Sequence, residues 1–164
     1  MKKITYLIIS LILLIFINAC SGYKPIFGTS NLQFEIVDHS IIGDKKLGNQ
    51  IYSKLYNLSN SNKNNPEAQN IHISIEVLKD KIPTVKNSTG KILEYEINLD
   101  TNIIIKDFLT EQSILNQSFN YSIPYKVQDA HSDTLKLENK NIDNLIDKTY
   151  QDALVQISEV ITSR

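Results

Sequence analysis

Apolar and polar residues alternate in four segments of the chain, as in strands that bury one face. The first segment is short and contains Leu32, Phe34 and Ile36. The apolar positions of the other three are Ile71, Ile73, Ile75 and Val77, then Leu93, Tyr95, Ile97, Leu99, Ile103 and Ile105, and finally Leu115, Phe119, Tyr121 and Ile123. Because one face of each segment stays polar, the pattern predicts a mainly antiparallel sheet covered on one side only.

Two further segments repeat their apolar residues every three or four positions, as amphipathic helices do. The first starts after Gly43 with Asp44 as its cap and ends before the Asn- and Ser-rich residues 59–66. The second covers residues 133–163. The order βαβββα predicts an α+β two-layer sandwich, with a four-stranded, mainly antiparallel sheet and two helices on one face.

The first 19 residues have the layout of a secretory signal peptide. Lys2 and Lys3 precede an apolar run over residues 4–17, which is shorter than the roughly 20 residues that span a bilayer as a helix. Residues 17–20, Ile-Asn-Ala-Cys, resemble a lipobox, in which the Cys sulfur receives a diacylglyceryl group before cleavage. The resemblance implies that Cys20 becomes the lipidated first residue of the mature protein, carrying acyl chains such as palmitate.

The segments together predict a signal peptide over residues 1–19, a lipidated N-terminus and tether over 20–31, and one α+β domain over 32–164. The chain contains one Cys, so we expect no intramolecular disulfide. Residue 21 is Ser, whereas an Asp at this position resembles a signal for retention in the inner membrane. We therefore expect a lipid-anchored protein of the outer membrane that faces the periplasm.

Charge and motifs argue against several classes of function. The chain has 17 Lys and Arg against 18 Asp and Glu, a balance that disfavours nucleic acid as the partner. His39, His72 and His131 are far apart and lack a second ligand at helix or hairpin spacing. The chain has no GxSxG or HExxH motif and no phosphate-binding glycine loop. We expect a protein that is not an enzyme and holds no metal or cofactor.

One stretch of the sequence could contact an anionic partner. Lys79, Lys81, Lys86 and Lys91 lie between the second and third predicted strands, in what the pattern predicts to be a loop. Such a cluster could meet phosphate groups. The alternative is an ordinary hydrated hairpin loop, since charged loop residues are usually only solvated.

The mature chain resembles the lipopolysaccharide-assembly lipoprotein family (LptE) in its alphaproteobacterial form. The resemblance lies in residues 20–28, CSGYKPIFG, and in Phe119-Asn120-Tyr121 followed by a Ser/Pro/Tyr stretch and a long C-terminal helix. It implies a non-enzymatic plug in the lumen of a large outer-membrane β-barrel (LptD). There the plug would assist folding of the barrel and delivery of lipopolysaccharide to the outer leaflet, with direct binding of lipopolysaccharide left open.

Two other classes remain as alternatives. One is an auxiliary lipoprotein of an ABC-type lipid transport system, which an internal apolar cavity would favour. The other is an enzyme of a different type, which a buried cluster of perturbed titratable groups would favour.

Overall fold

The alternating and helical patterns give four strands and two helices in the residues that the computed structural model describes, 34–60 and 68–162. They are β1 (Phe34–Gly43), α1 (Lys45–Ser59), β2 (Gln69–Lys86), β3 (Ile92–Asp107), β4 (Ser113–Lys126) and α2 (His131–Thr162). The predicted α+β class and the order βαβββα are confirmed. Cys20, the tether and Leu32 lie outside the described residues.

The strands form one sheet in the order β1-β2-β3-β4. The pairs β2–β3 and β3–β4 are antiparallel, whereas β1 and β2, which α1 connects, are parallel. A parallel pair needs such a crossover, while antiparallel neighbours can be joined by a tight turn. The sheet is therefore mixed and mainly antiparallel, as the sequence predicts.

A bulge in β1 changes which residues face the helices. Ile36 pairs with Ile71, but Asp38 and not Val37 pairs with His72, so one extra residue enters the strand. Phe34 and Ile36 are buried before the bulge. After it His39 faces α1 and stacks on Tyr52, with 3.9 Å between the ring centres. The strand thus continues to Gly43, beyond the alternation that is visible in the sequence.

Both helices pack on one face of the sheet, and the core lies between the two layers. From β2, β3 and the helices it includes Ile71, Ile73, Ile75, Val77, Ile97, Leu99, Ile103, Ile105, Leu47, Ile51, Leu55, Ile142, Leu145, Ile146, Ala153 and Ile157. Asp44 caps α1 by accepting a hydrogen bond from the Leu47 backbone N–H at 3.1 Å. Gly48 permits close packing on β1, because a Cβ there would lie 2.5 Å from Ile41 Cγ2.

The two ends of the sheet differ in which strands reach them. β1 ends opposite Val77, whereas β2 and β3 continue together to Lys86 and Ile92, which a turn over residues 87–91 connects. We call residues 78–100 the distal arm. The opposite, proximal end contains Phe34, Gln69 and the turn between β3 and β4 over residues 107–112, because these positions adjoin one another in the register.

Candidate interaction surface

The sheet face that points away from the helices is uncovered in the described part of the chain. Its residues are the alternate positions of β2, β3 and β4, which are paired across the strands. On β3 and β4 they include Glu94, Glu96, Asn98, Asp100, Asn102, Asn116, Ser118, Asn120 and Ser122. We call this surface the open face.

Cross-strand hydrogen bonds fix several side chains of the open face. Asn120 Nδ2 donates to Asp100 Oδ1 at 2.7 Å, and Ser118 Oγ donates to Asn102 Oδ1 at 3.2 Å. Such cross-strand polar pairs stabilise a sheet and leave free lone pairs and N–H groups toward the outside. The result is an ordered surface that can form further hydrogen bonds.

The open face is negatively charged and only partly polar. Glu76, Asp80, Glu94, Glu96 and Asp100 share it, while its cations lie at the two ends, at Lys106 and Lys126. Among these charges the exposed apolar side chains include Ile42, Leu78, Ile82 and Val85. A surface of this composition cannot lie against lipid tails, because charged groups there cost several kcal/mol. It suits a hydrated protein surface with hydrogen-bond donors or cations.

The four lysines predicted to line a loop are placed differently by the structure. Lys79, Lys81 and Lys86 belong to β2, and only Lys91 lies in the turn. The predicted loop over residues 79–91 is therefore wrong for residues 79–86. The alternation that identifies a strand is missing here because residues 78–86 of β2 are exposed on both faces, so neither face of this part of the strand has to be apolar.

Lys81 is held by three side chains on the helix-covered side of the sheet. Its Nζ donates to Glu138 Oε2 of α2 at 2.5 Å and lies 4.3 Å from the ring centre of Tyr95. Tyr125 OH donates to the same Glu138 oxygen at 2.8 Å. Lys81 is thus a structural cation that joins the distal arm to the start of α2.

The pKa values of this pair reflect the contact. Partial burial alone would lower the pKa of Lys81 and raise that of Glu138. The hydrogen bonds that Glu138 accepts from Lys81 and Tyr125 outweigh burial, so the pKa of Glu138 is lowered and that of Lys81 is raised. The nearby charge of Lys79 also lowers the pKa of Glu138. Both partners are therefore charged at neutral pH.

The remaining lysines lie at the tip of the distal arm and differ in role from Lys81. Lys86 and Lys91 are exposed beside the turn that the Asn87 side chain stabilises by accepting from the backbone N–H groups of Thr89 and Lys91. The part of β2 that continues beyond the end of β1 contains Lys79, Lys81, Pro83 and Lys86. Lysines and proline at a strand edge oppose unwanted pairing. Of the four candidates, Lys86 and Lys91 are therefore best placed to meet an external anion.

The proximal end carries a feature that the sequence analysis missed. Phe108 and Leu109, at the tip of the β3–β4 turn, are 41% and 81% exposed. Because they directly follow β3, their hydrophobicity makes them look like a continuation of that strand. The signal that could have identified them is Asp107, because an Asp followed two or three residues later by Thr is typical of a side-chain-stabilised turn.

A groove between the two helices is the other concave region of note. It has a volume of about 570 Å³ and is lined by Asn49, Gln50, Ser53, Lys54, Asp143, Ile146 and Asp147. Lys54 Nζ and Asp147 Oδ1 form an ion pair across it at 2.9 Å. The groove is open and all of its lining residues except Ile146 are polar or charged, so it differs from the enclosed apolar cavity that a lipid carrier would need.

Residues 34–60 and 68–162 contain neither a metal-binding cluster nor a membrane-spanning helix. Within these ranges no three His, Cys, Asp or Glu side chains come together as a metal site would require. Neither helix in the same ranges is long and apolar enough to cross a membrane. Cys20, the predicted lipidation site, lies outside them, so its role stays a prediction.

Solved structures with a similar fold include two bacterial lipoproteins. An uncharacterised lipoprotein B from Nitrosomonas europaea is 18% identical with a TM-score of 0.57, and the match covers 84% of this chain and 90% of that one. A predicted lipoprotein from Caulobacter crescentus is 9% identical with a TM-score of 0.55, covering 82% and 95%. At these identities the likeness shows a shared fold. No family model matches the chain, and no curated protein matches it.

Proposed function

We propose that the protein is a lipid-anchored lipoprotein of the outer membrane that associates stoichiometrically with a lipopolysaccharide-exporting β-barrel of the LptD type. In this role it is not an enzyme. It occupies the barrel as a plug, assists folding of the barrel and supports delivery of lipopolysaccharide to the outer leaflet. It faces the periplasm or the barrel lumen.

The open face is the observation that carries this proposal. Large outer-membrane barrels have a polar, hydrated interior. A one-sided sheet with carboxylates, amides and hydroxyls on its uncovered face can form many direct and water-mediated hydrogen bonds with such a wall. The contact would be wide and wet, and its affinity would be distributed over many residues.

The length of the domain supports the same role. β2 has 18 residues, which corresponds to about 60 Å of extended chain. A bilayer including its headgroups is about 40 to 45 Å thick. A domain of this length can reach from the periplasmic mouth of a barrel well into its lumen.

The predicted export signal and the fold add independent support. The signal peptide and Cys20 predict export and lipid attachment, and the two solved neighbours with the same fold are lipoproteins by name. The resemblance of residues 20–28 to the LptE family supplies the specific partner. Lys86 and Lys91 at the tip of the distal arm are our candidates for direct contact with lipopolysaccharide phosphates.

Affinity purification tests the association. The tagged, lipidated protein is purified from detergent-solubilised outer membranes, and the co-purifying proteins are quantified by mass spectrometry. We expect one dominant large barrel protein in an equimolar amount. Recovery of an inner-membrane ABC transporter in its place would favour the auxiliary lipid-transport lipoprotein.

A matched pair of variants tests the surface. Asn116→Arg with Asn120→Arg places two cations on the open face, and Asn139→Arg with Asn144→Arg places two on exposed positions of α2. The first pair should reduce recovery of the barrel several-fold, because it disrupts a hydrogen-bonding surface. The second should leave recovery near the wild-type amount. Equal losses would contradict a contact through the open face.

A further inference from the structure

Two adjacent apolar side chains project from the proximal end of the sheet. Leu109 is 81% exposed and Phe108 is 41% exposed, in a turn of six residues that also contains Asp107 and Glu111. Single exposed apolar residues are common on protein surfaces and need no explanation. Here the two residues are neighbours at the tip of a turn, so their position in the molecule indicates what they could contact.

The turn holds these side chains outward through a network centred on Asp107. Asp107 Oδ1 accepts hydrogen bonds from the backbone N–H groups of Leu109 at 3.0 Å and Thr110 at 2.8 Å. Asp107 Oδ2 accepts from Gln69 Nε2 at 2.9 Å. The backbone N–H of Phe108 donates to the Asn70 carbonyl oxygen at 2.9 Å. These bonds fix the backbone of the turn, so Phe108 and Leu109 are held at its tip.

The same end of the molecule is the one where the described chain begins. Phe34 pairs with Gln69, and the next residue of β2, Asn70, accepts the hydrogen bond from Phe108. Cys20 precedes Phe34 by about 14 residues, which can span at most about 48 Å. An acyl anchor at Cys20 therefore holds the proximal end within about 48 Å of the bilayer, and the β3–β4 turn is an exposed apolar element at that end.

We propose that Phe108 and Leu109 insert into the interface of the bilayer that holds the lipidated Cys20 and so fix the proximal end of the domain at that surface. The inference rests on the lipid anchor of the proposed function. The anchor makes the second contact intramolecular, so two side chains suffice where they could not hold a free protein. A domain whose arm occupies a barrel still has its proximal end beside the leaflet at the periplasmic rim.

The charges around the turn identify the chemistry of the surface. Lys106 and Glu111 flank the apolar tip with opposite signs, and Lys106 Nζ lies 3.9 Å from Glu111 Oε2. Together with the Asp107 carboxylate, the charged side chains of the turn sum to −1, so an anionic headgroup gains no attraction there. Insertion should therefore depend on burial of apolar area, and a zwitterionic bilayer should suffice.

A fluorescent probe at the tip tests the insertion. The full-length lipidated Leu109→Cys protein is purified in detergent and reconstituted into phosphatidylcholine vesicles. Lipidation blocks the Cys20 sulfur, and the chain contains no other Cys, so the new thiol alone takes an environment-sensitive dye. We expect blue-shifted emission that acyl-chain quenchers reduce by at least twofold. The matched control is Ser88→Cys at the distal turn, whose dye should stay in water.

A second variant separates insertion from the properties of the dye. With the dye moved to Thr110→Cys, replacing Phe108 and Leu109 by Ser should abolish quenching, because the apolar contact is lost. Equal emission from positions 88 and 109 in protein that floats with the vesicles would overturn the insertion and leave the anchor intact. Failure to float would overturn the anchor itself. A blue shift at position 109 that appears only after a barrel protein is added would mean that the barrel protein, and not lipid, covers the turn. This result also contradicts our proposal.

Discussion

The two turns that close the sheet at its opposite ends are built alike and display different surfaces. At the distal end Asn87 Oδ1 accepts hydrogen bonds from Thr89 and Lys91, and at the proximal end Asp107 Oδ1 accepts from Leu109 and Thr110. Asx side chains commonly stabilise turns in this way. The distal turn presents Ser, Thr, Gly and Lys, whereas the proximal turn presents Phe108 and Leu109.

The difference shows that folding alone does not require an apolar tip. A polar turn closes the β2–β3 hairpin with the same kind of hydrogen bonds, so the exposed Phe and Leu at the other end are not needed to form the turn. Their exposure costs solubility and gains nothing in the core. An external apolar surface at the proximal end, and a polar environment at the distal end, account for both turns.

The contrast extends along the strands. In the proximal half, β2 lies between β1 and β3 and α1 packs over it, so Ile71, Ile73, Ile75 and Val77 are buried. In the distal arm the same strand continues with both faces exposed. Along β2, stability should therefore concentrate in the proximal half, while residues 78–86 form a surface segment that Lys81 joins to Glu138.

Truncation of one isoleucine in each half should give the largest difference. Ile75 is 0% exposed and Ile82 is 44% exposed, and both belong to β2. We expect Ile75→Ala to cost about 2 to 5 kcal/mol, the range for emptying a buried aliphatic site, and Ile82→Ala under about 1. Urea unfolding of the two variants measures this. Similar costs would mean that the arm belongs to the core.

Two lysines of the arm should respond unequally to the same substitution. Lys81→Met removes the cation that Glu138 faces beside Tyr125, so the free energy of unfolding should fall by about 1 to 2 kcal/mol. Lys86→Met should change it by under about 0.5 kcal/mol, as for most surface substitutions. Thermal unfolding of both variants at pH 7 checks the difference. An equal response would show that the Lys81 contact contributes nothing.

Thr101 lies where the two halves meet, opposite Val77 at the end of β1. It is buried, and its Oγ1 has no hydrogen-bond partner within the described residues. Thr101→Val should therefore stabilise the protein by about 1 kcal/mol. The matched control is Thr149→Val. The buried Thr149 Oγ1 donates to the Leu145 carbonyl oxygen at 2.9 Å, so the loss of this hydroxyl should destabilise the protein. Denaturant midpoints of both variants decide the matter.

The proximal turn should lose its support in acid. The hydrogen bond from Gln69, followed by those from Thr110, lowers the pKa of Asp107 from its ordinary value of 3.8 to about 2. The carboxylate therefore stabilises the fold above the unfolded pKa, and this contribution disappears as the pH falls toward about 2. We expect Asp107→Asn to be less stable than wild type at pH 6 and the gap to close near pH 2. A gap independent of pH would contradict the role of the charge.

The sequence predicted most of the proximal half because burial leaves a periodic pattern there. Leu47, Ile51 and Leu55 on α1 and the alternation of Ile71 to Val77 on β2 correspond to faces that are in fact buried. The bulge at Val37 was beyond this reasoning, since one inserted residue shifts the alternation without a marker in the local composition.

The distal arm and the proximal turn show where pattern reasoning ends. Residues 79–86 form a strand through backbone pairing with β3, and no buried face imposes alternation on them. Lys81 looked like its neighbours in sequence, yet the fold alone brings it to Glu138, 57 positions away. Phe108 and Leu109 look like strand residues because exposure cannot be read from residue type.

Depletion of the protein in cells tests the central claim most directly, namely that it supports a lipopolysaccharide-exporting barrel. After depletion, the folded barrel and surface lipopolysaccharide are measured together, with restoration by wild-type protein and by the Asn139→Arg, Asn144→Arg variant as controls. We predict that both quantities fall in parallel and that both proteins restore them. Wild-type amounts of folded barrel and surface lipopolysaccharide, together with defective phospholipid traffic, would contradict the account and favour the transport-auxiliary alternative.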